Sequence, residues 1–394
     1  MDYFFNYLVQ YSKFYNETLP PKSKIYIDAS YLYNFQSACY NLISKRNFKY
    51  FIDPGTYKFQ YGGDRKFYIE FLDYFEEFDD LFNSEKIINL DFFENINNFE
   101  DFYKKIIRFQ RTMLAKTHIP LDYYKAIAEE KEEINKFNPI KNLKFVISPY
   151  FEFYRIEDKY YNLTLKYSSI DSENYSLLRF PKEVLGNSEN IDKISNDFNK
   201  PKGILIEVLN LDEYKEKDLN LYFGNLIDLI YKFSSNGQEV ILKSNSEFGK
   251  YLKYFGLVAV CSNVMIGQIS REYKPFKKND KGGSSDFFYI PQVERAVSIT
   301  NAESLIERNQ ILEDVSGVNI RKLPLNSRTE HYYNSIKEKL IKINKSPAQK
   351  ILEGLQNSFD KINYKLHKKK YKYMITWKEL LQRKVKEHFN QSHI

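Results

Sequence analysis

Cysteine is nearly missing from this chain: Cys39 and Cys261 are the only two in 394 residues. Two thiols exclude a disulfide framework and a cysteine-rich zinc centre, and their apolar surroundings suit buried free thiols. Histidine is sparse as well. His118, His331, His367, His388 and His393 show no HxxxH or HxH spacing, so a histidine-based metal centre is not expected. No window approaches eighteen consecutive apolar residues, which argues against a membrane-spanning helix. The opening MDYFFNYLVQYSKFYN lacks a basic region followed by a clean apolar core, so no secretory signal is expected. No GxSxG elbow, Walker loop or GxGxxG fingerprint occurs. These absences lead us to expect a soluble protein in a reducing, intracellular, cytoplasmic setting, with no membrane partner.

What is present is apolar and aromatic. Hydrophobic residues make up 43% of the chain and aromatics 17%, with 34 Tyr and 32 Phe against 1 Trp. That is enough for a substantial core. The excess of Tyr, Phe, Asn, Ile and Lys also fits an AT-rich genome, so aromatic content alone says nothing of base stacking. The net charge of +7 is unevenly divided. Residues 321–394 hold 18 Lys and Arg against 6 Asp and Glu, a net of +12, which leaves the rest at −5. A mildly acidic body of residues 1–320 therefore carries a basic α-helical extension of residues 321–394.

Eight short apolar runs precede residue 300. They are KIYIDAS (24–30), FKYFIDP (48–54), KIINLDF (86–92), LKFVISPYF (143–151), GILIEVL (203–209), QEVILKS (238–244), LVAVCSN (257–263) and FFYIPQV (287–293). Several are continuous rather than alternating, as in parallel strands buried on both faces. Helical stripes lie between them: Phe67, Phe71, Phe75, Phe78 and Phe82, then Leu219, Phe223, Leu226, Ile227 and Ile230. Alternating strands and helices predict an α/β fold, a (β/α)8 TIM-like barrel, with an open doubly wound parallel sheet as the alternative. The segment 151–202 is long and ambiguous. Beyond Asn326, helices are expected over 330–343, from Pro347 through Phe359, and over 376–389.

In such folds polar groups at the C-terminal strand ends converge above the sheet. That places Asp28, Asp53, Asp91, Ser148, Glu152, Glu207, Asn210, Lys243, Asn245, Ser262 and Asn263 as candidates. Asp28, Asp53, Glu207 and Lys243 are the expected catalytic set. The carboxylates serve as acid/base groups or magnesium ligands, and Lys243 as an electrostatic contact. Asp53 lies in IDPGTYKFQYGG, a strand end followed by turn-forming residues. Glu207 is enclosed by apolar neighbours and needs a cationic partner, for which Lys243 on the next strand is the expected choice. Asp28 and Asp53 equally suit simple turn capping.

Two further features suggest anion binding. Lys277, Lys278 and Lys281 surround Gly282, Gly283 and Ser284 after the seventh run, where barrels often bind phosphate. The tail interleaves cations with aromatics through Lys368, Lys369, Lys370, Lys372, Trp377 and Arg383, a pattern suited to unpaired nucleic acid. A solvated loop and a solvated helix are the plainer readings of the two.

The strand order resembles TIM-barrel proteins in general and matches no named family signature. The tRNA-guanine transglycosylases, barrels that use strand-end aspartates, would suit Asp28, Asp53 and the basic tail. Their cysteine-rich zinc site has no counterpart here. The expected function is action on, or binding of, a phosphate-bearing ligand, nucleic acid or a nucleotide. The alternative is a non-catalytic scaffold that docks a protein partner through its C-terminal helices.

Overall fold

A computed structural model describes residues 1–8, 12–62, 66–115, 139–244, 246–262, 287–309, 320–362 and 364–389. Its centre is a parallel sheet of seven strands: β1 (Asp2–Asn6), β2 (Lys24–Asp28), β3 (Lys49–Asp53), β4 (Tyr175–Pro181), β5 (Gly203–Leu209), β6 (Glu239–Lys243) and β7 (Leu257–Ser262). The spatial order is β3-β2-β1-β7-β6-β5-β4, every pairing parallel. A separate antiparallel hairpin joins β8 (Phe287–Ile290) to β9 (Arg295–Ser298).

The two faces of the sheet are packed differently, and strand alternation explains how. Phe4, Tyr26, Phe51, Leu177, Leu205, Ile241, Ala259 and Cys261 form a small apolar cluster on the concave face, joined by Ile147 and Tyr150. Their strand neighbours Ile25, Ile52, Leu178, Ile204, Ile206, Val240, Leu242 and Val260 point the other way, into the larger clusters shared with the helices. All seven residues of β4 and of β5 are buried, as two covered faces require. At the start of β5, a Cβ on Gly203 would lie 2.2 Å from the Tyr175 ring, so the close β4–β5 approach requires glycine there.

The sheet is strongly curled but is not a closed barrel of eight regular strands, and the strand expectations are corrected accordingly. Residues 143–151, expected as a strand, make isolated parallel bridges only, Leu143 with Tyr50 and Ile147 with Tyr175. Residues 86–92 form a single bridge at Ile88 and run into the 3-10 turn Leu90–Glu94. The 287–293 run belongs to the hairpin. In their place stand β1 and β4, which sequence inspection did not single out. The phenylalanine stripe likewise breaks: its helix ends at Leu72, and Phe67 is exposed. The second stripe is borne out, with Leu226, Ile227 and Ile230 buried along the helix Gly224–Ser235.

The tail forms the helices Leu325–Lys345, Ala348–Asp360, Lys365–Lys370 and Tyr373–Phe389. They do not stand apart. Trp377, Met374, Leu380 and Leu381 share one apolar cluster with Phe223, Ile227 and Phe248 on the convex side of the sheet. Among the described residues, no helix is long and apolar enough to cross a membrane.

Candidate active site

Strand register assembles the candidate site. Asp28 lies opposite Asp53, and Arg179 lies opposite Glu207. These residues share strand parity with the concave-face cluster, two positions beyond Tyr26, Phe51, Leu177 and Leu205, so they form the charged layer that caps it. Lys243 is likewise two positions beyond Ile241. Its Nζ lies 2.7 Å from Asp53 Oδ2 and 2.9 Å from Glu207 Oε2. The Arg179 guanidinium reaches Glu207 at 2.7 Å through one nitrogen and Glu152 at 2.7 Å through Nε. The result is a chain of alternating charge, Asp53–Lys243–Glu207–Arg179–Glu152, with each member at least nine-tenths buried.

Tyrosines complete the layer. Tyr150 donates to Asp53 Oδ1 at 2.7 Å, and Tyr61 and Tyr154 each donate to Glu152 Oε1 at 2.6 Å. The Tyr57 ring faces the Arg179 guanidinium at 4.0 Å. Tyr57 and Tyr61 come from the loop after β3, and Tyr150 and Tyr154 from the segment that follows Asn142. The 3-10 turn of the β3 loop, Thr56–Gln60, carries Tyr57 and Lys58 inward, and Gln60 clamps the Glu152 backbone through both N–H and carbonyl. Gly62 at the end of this loop has φ +62°, and a Cβ there would meet the Glu85 carbonyl at 2.5 Å. Glycine here permits packing of the loop rather than approach of a ligand. Asp28 stands at the more open side of the layer, ion-paired with Lys58 and bonded to Ser30.

The electrostatics follow from this pairing. Burial would raise Asp53, but the Lys243 ammonium, the Tyr150 hydroxyl and the Lys58 charge together outweigh it and hold the carboxyl below its ordinary range. Burial opposes ionisation of Glu207 too, and Arg179 and Lys243 together hold it down. Burial would lower Lys243; Asp53 and Glu207 reverse that and hold it well above the usual lysine value. Lys243 is therefore a fixed ammonium, suited to contact an anion and unsuited to act as an amine nucleophile. Burial pushes both thiols up, so neither Cys39 nor Cys261 is a reactive thiolate.

Of the sequence candidates, Asp53, Glu207, Lys243 and Glu152 come together, with Asp28 alongside. Asp91 is exposed on the Leu90–Glu94 turn, and Asn210 is exposed beyond β5. Asn245 and Asn263 lie outside the described residues, as do Lys277, Lys278, Lys281, Gly282, Gly283 and Ser284. Arg179 was not anticipated. Its only signal is a cation inside the otherwise apolar YSLLRFP, within a segment that sequence reading left unassigned.

Magnesium at this mouth would compete with an ammonium that already bridges Asp53 and Glu207. Among the described residues, Asp228, Glu387 and His388 bring their ligand atoms within 4.8 Å of one another. The Lys384 ammonium occupies that position, 2.7 Å from Asp228 and 2.8 Å from Glu387.

In the tail, Lys368, Lys369, Lys370, Lys372 and Arg383 are exposed. Trp377 is not: it is 0% exposed and donates its indole N–H to the Glu213 carbonyl at 2.7 Å. Tyr373 and Phe248 pack around it at 5.1 and 5.3 Å between ring centres. The expectation that Trp377 stacks on a base is corrected, since the ring is used for anchoring. No family model, curated protein or solved structure matches this chain.

Proposed function

We propose that the protein binds a phosphate-bearing ligand, a nucleotide or nucleic acid, at the C-terminal mouth of the curled sheet and acts on it there. The observation that carries this reading is Lys243 held between Asp53 and Glu207, beside Arg179 held between Glu207 and Glu152. Such a buried chain of charge is a poor stability device, because well-packed apolar residues commonly do as well or better. Buried, strongly perturbed charges in a parallel sheet's mouth are what a reactive site requires. A phosphoryl anion arriving at Lys243 and Arg179 displaces a carboxylate from them. Asp53 or Glu207, relieved of its cation, then regains basicity and becomes the proton acceptor. The Tyr57 ring offers a face beside the same guanidinium, and the exposed lysines of the Lys365–Lys370 helix extend the contact to a polyanion.

The fold reading that accompanies this is a barrel with an irregular eighth stave. Residues 143–152 would close the gap between β3 and β4. Supporting it, Lys144 N–H donates to Tyr50 at 2.7 Å and Tyr175 N–H to Val146 at 2.8 Å, while Glu152 bridges to Arg179. Phe145 stacks on both Phe51 and Tyr175. A cytoplasmic setting suits the two buried free cysteines.

One observation favours a second reading, a non-catalytic scaffold: every charge in the layer already has an opposite partner. Titrating wild type, Asp53→Asn, Glu207→Gln and Lys243→Met with adenine nucleotides and a labelled single-stranded oligonucleotide separates the two. An enzyme loses binding or turnover in folded variants. Absence of binding by the wild type at low salt sinks the phosphate-ligand reading.

A further inference from the structure

Between the β8–β9 hairpin and the first two helices of the tail lies a cavity of about 680 Å³. That is the size of a small-molecule site and far more than an ion or a single water requires. One wall is a face of the helix Leu325–Lys345, running from His331 past Glu338 to Lys342. The helix Ala348–Asp360 forms the facing wall with Ile351, Gly354 and Leu355. Phe288 and Gln292 line it from the hairpin.

Several polar groups of this lining lack a partner. The His331 ring stacks on Phe288 at 4.7 Å, and its Nε2 lies 3.0 Å from the Tyr289 carbonyl oxygen. A carbonyl only accepts, so Nε2 carries the proton, and Nδ1 of the neutral ring is left as an acceptor. Burial favours that neutral ring by lowering the pKa of His331. The side-chain carbonyl of Gln292 is buried and, among the described residues, receives no donor. Glu338 lines the same wall as a further acceptor. Glu294 adds no net charge, because it is paired with Lys339 and accepts from Tyr251. Lys342 is different. Among the described residues it has no carboxylate partner, and its Nζ lies 3.9 Å from where a Cβ on Gly354 would stand. The cavity thus holds acceptors without donors and an ammonium without an anion, with apolar wall between. His331 and Lys342 stand eleven residues apart on one helix, about 16 Å along its axis, which suits an extended molecule rather than a lone ion.

We propose that this cavity binds a small molecule with a flat, amine-bearing ring at one end and an anionic group at the other, the chemistry of an adenine nucleotide. The ring finds apolar contact at Phe288, Ile351 and Leu355. Its amine supplies the donor that Gln292 and His331 lack, and its phosphate supplies the anion that Lys342 lacks. Gly354 keeps the space beside that ammonium open. None of Asp53, Lys243, Glu207, Arg179 and Glu152 lines the cavity, so the inference does not rest on the proposed function.

The test is calorimetry on the full chain with adenosine monophosphate, inosine monophosphate and adenosine. Adenosine monophosphate should bind. Adenosine, without the anion, should bind about tenfold or more weakly, the scale of a charged hydrogen bond. Inosine monophosphate turns the amine into a carbonyl and should lose about tenfold or more, since acceptor then meets acceptor. Lys342→Met should bring adenosine monophosphate down to the affinity of adenosine and leave adenosine unchanged. Gln292→Leu should reduce the preference for adenosine monophosphate over inosine monophosphate. Gly354→Leu should fill the cavity and abolish binding without lowering the melting temperature, because glycine is the poorer helix former. Equal affinities for adenosine and its monophosphate overturn the inference, as do unchanged binding by Gly354→Leu and absence of binding by the wild type. Lys243→Met separates the two sites. If it alone loses the nucleotide, while Lys342→Met and Gly354→Leu keep it, this inference fails and the proposed function stands. The reverse pattern upholds the inference and leaves the strand mouth without a nucleotide ligand.

Discussion

Lys243 and Asp53 touch at 2.7 Å although they belong to β6 and β3, which stand four places apart in the sheet order. In a flat sheet four strand spacings would separate them by about 19 Å. The contact exists because the sheet curls and carries both side chains across its concave face. Lys243→Met should therefore leave Asp53 and Glu207 buried without their shared cation and cost about 3–5 kcal/mol. Urea denaturation at neutral pH measures this, and Asp53→Asn in the same background should restore part of the loss. A cost below about 1 kcal/mol would mean that the pairing is dispensable.

Acid should unfold the protein through the same layer. Asp53 and Glu207 have folded pKa values below those of the unfolded chain. Their contribution is thus complete above the unfolded carboxylate values of about 4 and is lost as pH falls through the lower folded values. Glu207→Gln should flatten the melting-temperature curve below about pH 4. A variant curve parallel to wild type in that range refutes the assignment.

Glu213 should act with the opposite sign. Burial pushes its carboxyl up to about 7, against hydrogen bonds from Ser246, Glu247 and Phe248. The folded state then holds the proton more tightly than the unfolded chain, whose value is about 4.3. Stability from this group is complete below about pH 4.3 and declines as pH rises through 7, by on the order of 3 kcal/mol. Calorimetry at pH 5 and pH 8 should show a smaller difference for Glu213→Gln than for wild type. Equal differences would remove Glu213 from the account.

Trp377, the one tryptophan of the chain, reports on the tail. Trp377→Ala should cost about 3–5 kcal/mol, and native emission should be blue-shifted relative to the urea-unfolded chain. Saturation with a single-stranded oligonucleotide should leave that emission unchanged, because the indole is internal. Strong quenching would return Trp377 to the binding surface. Deletion of 321–394 should likewise expose apolar surface around Phe223, Ile227 and Phe248 and give aggregation rather than a soluble body.

Much of the charged layer was legible because strand-end position and parity are local properties. Five of the seven parallel strands could be read as continuous apolar runs, and the pairing of Glu207 with Lys243 followed from the cost of an isolated buried carboxylate. Two strands escaped for definite reasons. β1, Asp2–Asn6, reads like the aromatic background of the whole chain. β4 carries Arg179, whose charge masks an otherwise apolar pattern. The misread runs at 86–92 and 143–151 are apolar because they pack against the core, which burial alone brings about without strand pairing.

Sequence by itself determined an α/β chain with a parallel sheet, carboxylates and a lysine at its strand ends, and a basic helical tail. Those follow from periodicity and from charge counted along the chain. Tertiary structure alone decided that Asp53 reaches Lys243, that Arg179 links Glu207 to Glu152, and that Trp377 faces the core. Each of these depends on how far the sheet curls and where the tail docks, and both are settled by packing between segments more than a hundred residues apart in several cases.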